Sequence, residues 1–289
     1  MSTETTTSTT FGIEQERFET IVTYVTMYGL GFLFLVPLYQ MLKLSVTPTE
    51  NLGDTVWIPR DVTMNYWADV LLGEPILYRW ILNTFVIAAL TTVLVLVLDT
   101  LIAFSLTRLE WPGRRLVIGV IVASFMVPAF VNIIPLFQVV NELGMLGEGY
   151  TAYSAVILPF AAGPLGVFLL YQFFRDIPEE LEEAARMDGF STFRIYAQII
   201  LPLSKPVISA LGLFTFVWSW NQFLWPLIVL SGDAYYTIPV GAVTLQAVHG
   251  EFSNQLMTML AVVSLPLFVV FIVFQDKLIS SVQLQGTTG

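Results

Sequence analysis

The chain has no cysteine and a single histidine, His249. Disulfides and thiolate metal sites are therefore excluded, as is any metal centre built on several histidines. An intramembrane enzyme needs a paired nucleophile and base or a metal cluster, and one histidine without a thiol assembles neither. Lysine is scarce, with only Lys43, Lys205 and Lys277. No glycine-rich loop carries a lysine that could cradle a phosphate, so ATP is not hydrolysed by this polypeptide. The opening MSTETTTSTT lacks the basic region and cleavage site of a signal peptide. Charge is thin throughout, 12% of residues against about 25% in soluble domains. What fills the chain instead is apolar side chain, 56% of 289 residues, the mark of a polytopic membrane protein. Net charge is −10, which fits a surface facing high salt or a drift toward acidic composition.

Hydropathy divides the chain into six apolar segments. They run at about 20–42, 80–106, 116–140, 151–174, 207–230 and 255–274. Residues 1–19 are polar and low in complexity and read as a disordered cytoplasmic terminus. Residues 45–79 form a polar connection, 142–150 and 231–254 are external loops, and 278–289 a cytoplasmic tail. Pro37, Pro128, Pro135, Pro159, Pro164 and Pro266 fall inside spans, where neighbouring helices can satisfy the freed carbonyls. Orientation follows from charge. With both termini inside, Arg17, Arg108, Arg114, Arg115, Arg175, Arg186, Arg194, Lys205 and Lys277 are cytoplasmic. Lys43, Arg60 and Arg79 are external, and nine against three obeys the positive-inside rule.

Two polar groups inside spans call for a role. Asp99 lies about 10 Å from the inner end of the second span at 1.5 Å per residue. It reads as a buried carboxyl bonded to a neighbouring helix, with a transport role as the alternative. The fifth span carries Trp218, Trp220, Asn221, Gln222 and Trp225. Indole rings stack on the apolar faces of sugars and amides bond hydroxyls, so Trp218, Trp220 and Asn221, with Asn83 and Asn132, are candidates for lining a solute path. An interfacial tryptophan belt with amides bonding between helices accounts for the same residues.

The densest charge sits between Pro178 and Pro202, PEELEEAARMDGFSTFRIYAQIILP. Acidic residues follow Pro178, which suits the first turn of a helix. Gly189 is a stop signal, and Ser191 or Thr192 can cap a second helix. In that helix Phe193, Tyr196, Ala197, Ile200 and Leu201 share one face at helical spacing.

Glu183-Ala184-Ala185, then Gly189, Ile199, Leu201 and Pro202, resemble the EAA motif of the membrane-spanning subunits of binding-protein-dependent ABC importers. Asp188 precedes the glycine. Met126-Val127-Pro128, Asn83-Thr84, Trp220-Asn221 with Pro226, and Tyr236 to Gly241 are similar to the carbohydrate-uptake class of that family. So, more weakly, are Trp57-Ile58-Pro59 and Asn65-Tyr66. The resemblance covers about 29–277 and implies an all-α, six-helix permease of the type I ABC importer fold. It implies a single transmembrane domain over 20–277, whose cytoplasmic coupling loop, 175–205, docks into a groove on an ATPase subunit. The small Ala184 and Ala185 would allow close approach, and Glu183 would meet a basic residue of the partner. Further implied partners are a second permease chain, two ATP-binding subunits and an extracellular solute-binding protein. ATP and Mg belong to the ATPase, and this chain binds no cofactor and no nucleic acid. The solute implied is a sugar or oligosaccharide. The family's C-terminal lysine is absent from the ending Gln285-Gly286-Thr287-Thr288-Gly289. An ion-coupled secondary transporter is the alternative, with Asp99 as its thin support.

Overall fold

A computed structural model describes the backbone of residues 5–51, 53, 56–147, 149–249 and 254–286. Side chains are described from Phe18 to Val273, except at 52, 54, 55, 129, 148 and 245–253. The side chains of His249 and Lys277 and the last residues, 287–289, therefore lie outside the described residues. Every regular element described is helical, and the one β contact is an isolated bridge between Gly147 and Leu230. The chain forms two compact units, Met1–Gly73 with His249–Val262, and Glu74–Val248 with Val263–Gly289.

In the first unit α1 (Thr5–Val46) holds the first span. The helix reaches back to Thr5, through the segment expected to be disordered. Residues 14–19, EQERFE, are good helix formers that extend an apolar helix at little cost. Its side chains from Phe18 to Leu35 are all exposed, a face for lipid or for another subunit. Helix α2 (Asn65–Gly73) lies within the polar connection. Trp67 Nε1 donates to Ser45 Oγ at 3.3 Å and anchors α2 to the end of α1. Asn254 and Thr258, at the start of the last helix, bond the carbonyls of Thr47 and Ser45.

The second unit is built on α3 (Pro75–Arg108), an unbroken second span. Pro75 at its first position loses no hydrogen bond there. The third span is not one helix. It consists of α4 (Arg114–Ser124), a short 3-10 turn at Ala129–Asn132, and α5 (Ile133–Glu142). Pro128 lacks the N–H that would continue α4, and Pro135 sits in the first turn of α5, where it is tolerated. The fourth span is α6 (Thr151–Ile157) and α7 (Pro164–Arg175), bent by 44° at Pro159 and Pro164.

The charged loop supplies α8 (Glu180–Met187), α9 (Thr192–Ile195), a π turn at Tyr196–Ile200 and α10 (Leu201–Leu203). The fifth span, α11 (Lys205–Trp220), leaves that rod at 77°. It stops ten residues short of the expected end at Leu230, and α12 (Leu224–Val229) carries the remainder. The loop after it is half helical, with α13 (Ile238–His249). The last helix, α14 (Asn254–Gly286), continues well past the expected start of the tail at 278. Three described helices are long and apolar enough to cross a membrane alone, and five if each bent pair counts as one. The expected third span is not among them, since α4 has 11 residues and α5 has 10 and residues 125–132 part them.

Two apolar clusters hold this unit. One joins Ile87 of α3, α6 and the Trp225–Leu230 stretch, where the Trp225 Nε1 donates to the Ala155 carbonyl at 2.9 Å. The other packs Ala103 and Phe104 of α3 and Leu170 and Phe174 of α7 against Ala185, Ile195, Tyr196 and Ile200 of the charged loop. That second cluster is what seats the loop.

Candidate functional site

The loop folds locally as its residues dictate. Acidic Glu180, Glu182 and Glu183 fill the first turn of α8, where the helix dipole favours them. At its end Gly189 takes φ +79°, its N–H bonds the Arg186 carbonyl at 3.0 Å, and the Phe190 N–H bonds that of Ala185 at 2.9 Å. This is a Schellman motif, which only a residue at ease with positive φ closes without strain. Ser191, not Thr192, caps α9, accepting from the Arg194 N–H at 3.3 Å.

Packing then decides which side chains of the motif face out. Glu183, Ala184, Asp188 and Gly189 are exposed, together with Leu181 and Met187, the latter 83%. Ala185 turns the other way and is buried in the chain's own core, so its small side chain serves internal packing and not the approach of a partner. Ile199 and Leu201 are half-buried and Pro202 exposed. The expected apolar face of the second helix is also corrected. Phe193 is 71% exposed and Ile195 is buried in its place, beside Tyr196 and Ile200. The π turn adds a residue to the local repeat and rotates the buried face relative to ordinary helical spacing.

Beneath α8 lies a buried guanidinium that residue patterns did not single out. Arg108, at the end of α3, donates through Nη2 to the carbonyls of Phe174 and Ile177, both at 2.7 Å. Those carbonyls lie in the last turn of α7 and just past it, and the one at Phe174 also accepts from the Ile177 N–H at 3.3 Å. Its Nε lies 2.6 Å from Glu182 Oε1, a close charge contact outside hydrogen-bond angles, and its Nη1 is 3.5 Å from Glu179. Burial pushes the Glu182 carboxyl up, while Arg108 and then Arg186 oppose the shift. The sequence signal for this site was an acid next to the motif's Glu183 and an arginine at the end of a span.

The other candidates separate. Asn83 is buried, and its amide donates to the carbonyls of Ala234 and Tyr236 at 2.9 and 3.0 Å. With Trp80, whose Nε1 bonds the Asp233 carbonyl at 2.6 Å, it pins the 233–238 loop onto α3. Trp220 is buried against Phe216. Asn221 is exposed and its amide closes the end of α11 on the Val217 carbonyl at 2.7 Å. Asn132 is exposed at the start of α5. Trp218 lines a cavity of about 320 Å³ with Phe160, its T-shaped neighbour at 5.2 Å, and with Phe214, Thr215 and Asp99. Asp99 itself is fully buried. Its Oδ1 accepts from the Gly163 N–H at 3.1 Å, at the break between α6 and α7, while Oδ2 has no partner.

An all-helical chain with broken spans and a charged, outward-facing helix–turn–helix loop has the architecture of a transporter's membrane subunit. Residues 99–283 match the family described as the binding-protein-dependent transport system inner membrane component. The chain belongs to that family, and is a multi-pass permease component of an ABC importer and not an enzyme. It is 32% identical over 264 residues to an arabinooligosaccharides transport system permease, AraQ of Bacillus subtilis (strain 168), covering 90% of this chain and 92% of the relative. It is 29% identical over 259 residues to a trehalose transport system permease, SugB of Mycobacterium tuberculosis, covering 88% and 93%. The fold matches a chain in the crystal structure of a bacterial ABC transporter that imports the acidic polysaccharide alginate. That match has a TM-score of 0.79 at 21% identity and covers 91% of this chain and 97% of the other.

Proposed function

We propose that this chain forms half of the membrane path for a sugar or oligosaccharide and that its 175–205 loop docks onto a separate ATPase subunit. The observation that carries the docking is the division of α8 into two faces. Glu182 and Ala185 are buried within the chain, while Glu183, Ala184 and Met187 are presented outward on a rigid turn. Exposed Leu181, Met187 and Phe193 place apolar surface beside an acidic rim, the composition of a partner's contact patch. Solutes named for the relatives support a carbohydrate, and the Trp218–Phe160 pair beside Thr215 has the chemistry to meet one.

In this reading both termini and the loop are cytoplasmic, in keeping with the basic side chains. A second permease chain completes the path, two ATPase subunits supply ATP and Mg chemistry, and an external binding protein delivers the solute. A secondary transporter is disfavoured, because among the described residues Asp99 has no ion-pair partner to form a coupling site.

The test uses the absence of cysteine. In the complex assembled with its cognate ATPase and permease, Met187→Cys and Ala184→Cys should each crosslink to an engineered cysteine in the ATPase groove. Solute uptake at full rate with neither position reaching the ATPase overturns the docking.

A further inference from the structure

The loop touches the membrane helices through more than its own chain ends. The Arg108 side chain is 4% exposed, and its donors reach two other elements. Two carbonyls at the end of α7 and a carboxylate of α8 converge on one guanidinium from α3. Two turns earlier in α3, the Thr100 Oγ1 and Tyr196 Oη form a buried hydrogen bond of 2.8 Å. Tyr196 opens the π turn, and its ring lies 5.1 Å from that of Phe104. Helix α3 thus grips the loop on both sides of the Gly189 turn, once at α8 and once at the π turn. Neither contact follows from connectivity, since the loop is covalently joined only to α7 and α11.

Resting on the docking reading above, we propose that Arg108 is a positioning residue that fixes α8 to the second span, so that movement of the docked loop is passed directly to α3. The chemistry suits the task. A planar guanidinium can bridge carbonyls on one side and a carboxylate on the other in fixed directions, which a lysine's single ammonium cannot. Removing either partner strands a buried charge, so the contact persists while α3 and α8 move together. Tyr196 and Thr100 supply a second point of attachment, and two separated points transmit rotation where one would act as a swivel.

The test is made in the assembled complex with the cognate binding protein, on Arg108→Gln, Arg108→Lys, Glu182→Gln and the double variant of Arg108→Gln with Glu182→Gln. Three readouts are taken: solute moved per ATP hydrolysed, the solute concentration for half-maximal uptake, and the Met187→Cys crosslink. Solute moved per ATP should fall about tenfold in both glutamine variants, an ordinary size for coupling between sites. The half-maximal concentration and the crosslink should stay as in the parent. The double variant should be no worse than the poorer single one, and Arg108→Lys should recover only part. Because the Arg108 variants can fail to insert, Glu182→Gln decides by itself, as it leaves both carbonyl bonds in place. Unchanged solute per ATP in Glu182→Gln, or losses that add in the double variant, overturns the proposal. A missing crosslink in the parent complex instead overturns the docking on which it rests.

Discussion

Asp99 and Gly166 approach so closely where α3 crosses α7 that a methyl group on Gly166 would lie 2.0 Å from Asp99 Oδ2. The same hypothetical methyl would stand 3.2 Å from Leu211 of α11, so three helices meet at a position where no side chain fits. Glycine here is a packing requirement, with no demand on backbone conformation. Gly166→Ala should force Asp99 aside and break its bond to the Gly163 N–H. The expected loss is about 1–3 kcal/mol, the usual range for overpacking. Thermal unfolding of the purified complex measures it. Adding Asp99→Ala to Gly166→Ala should return part of the loss, because the obstructing carboxyl is gone.

Asp99→Asn separates shape from charge. The amide oxygen can still accept from the Gly163 N–H, and the side-chain volume is kept. Uptake should stay near the parent level, while Asp99→Leu, which leaves that N–H without its acceptor, should lower stability by about 1–3 kcal/mol. Loss of uptake in a well-assembled Asp99→Asn complex would show that the acid itself takes part in transport.

Gly189 offers a test of backbone geometry alone, since nothing lies within 4 Å of the place its side chain would occupy. At φ +79° a β-branched residue meets a penalty of about 1–2 kcal/mol or more. Gly189→Val should leave membrane insertion intact and abolish solute-stimulated ATP hydrolysis by the complex. Gly189→Asn should be milder, because asparagine tolerates the left-handed region better. Equal, full stimulation in both would remove the turn from the coupling route.

Orientation can be read from single cysteines. Arg115→Cys and Lys205→Cys should resist an impermeant thiol reagent in intact cells, and Asp233→Cys should react. All three native side chains are exposed, so access depends on the side of the membrane and not on burial. The reverse labelling pattern would invert the topology and place the loop away from any ATPase.

Residues that act through their own backbone are legible in the linear chain. Pro128, Pro159 and Pro164 lack an N–H wherever they stand and mark where the third and fourth spans can break, although Pro37 and Pro266 sit inside unbroken helices. Gly189 and Ser191 likewise announce the turn and cap of the loop, because a left-handed glycine and a hydroxyl N-cap need only their nearest neighbours. Apolar composition and the spacing from Glu183 to Pro202 are enough for the class of protein.

What depends on distant partners is decided only in three dimensions. Ala184 and Ala185 are alike in sequence, yet one is exposed and the other buried, because the face of α8 that rests on Phe104, Phe174 and Ile177 is chosen by packing. Phe193, expected on the buried face of the second helix, is exposed, while Ile195 is buried beside Tyr196 and Ile200. Asn83 and Trp220, polar and aromatic candidates for a solute path, are claimed by a loop backbone and by Phe216. Arg108 and Glu182 belong to different segments and carry no mutual spacing that a linear pattern could register. Their contact needs the end of α7 and the start of α8 to lie within reach of one guanidinium at the end of α3. Local stereochemistry is written residue by residue, whereas the pairing of buried charges waits on the distances and angles at which whole helices pack.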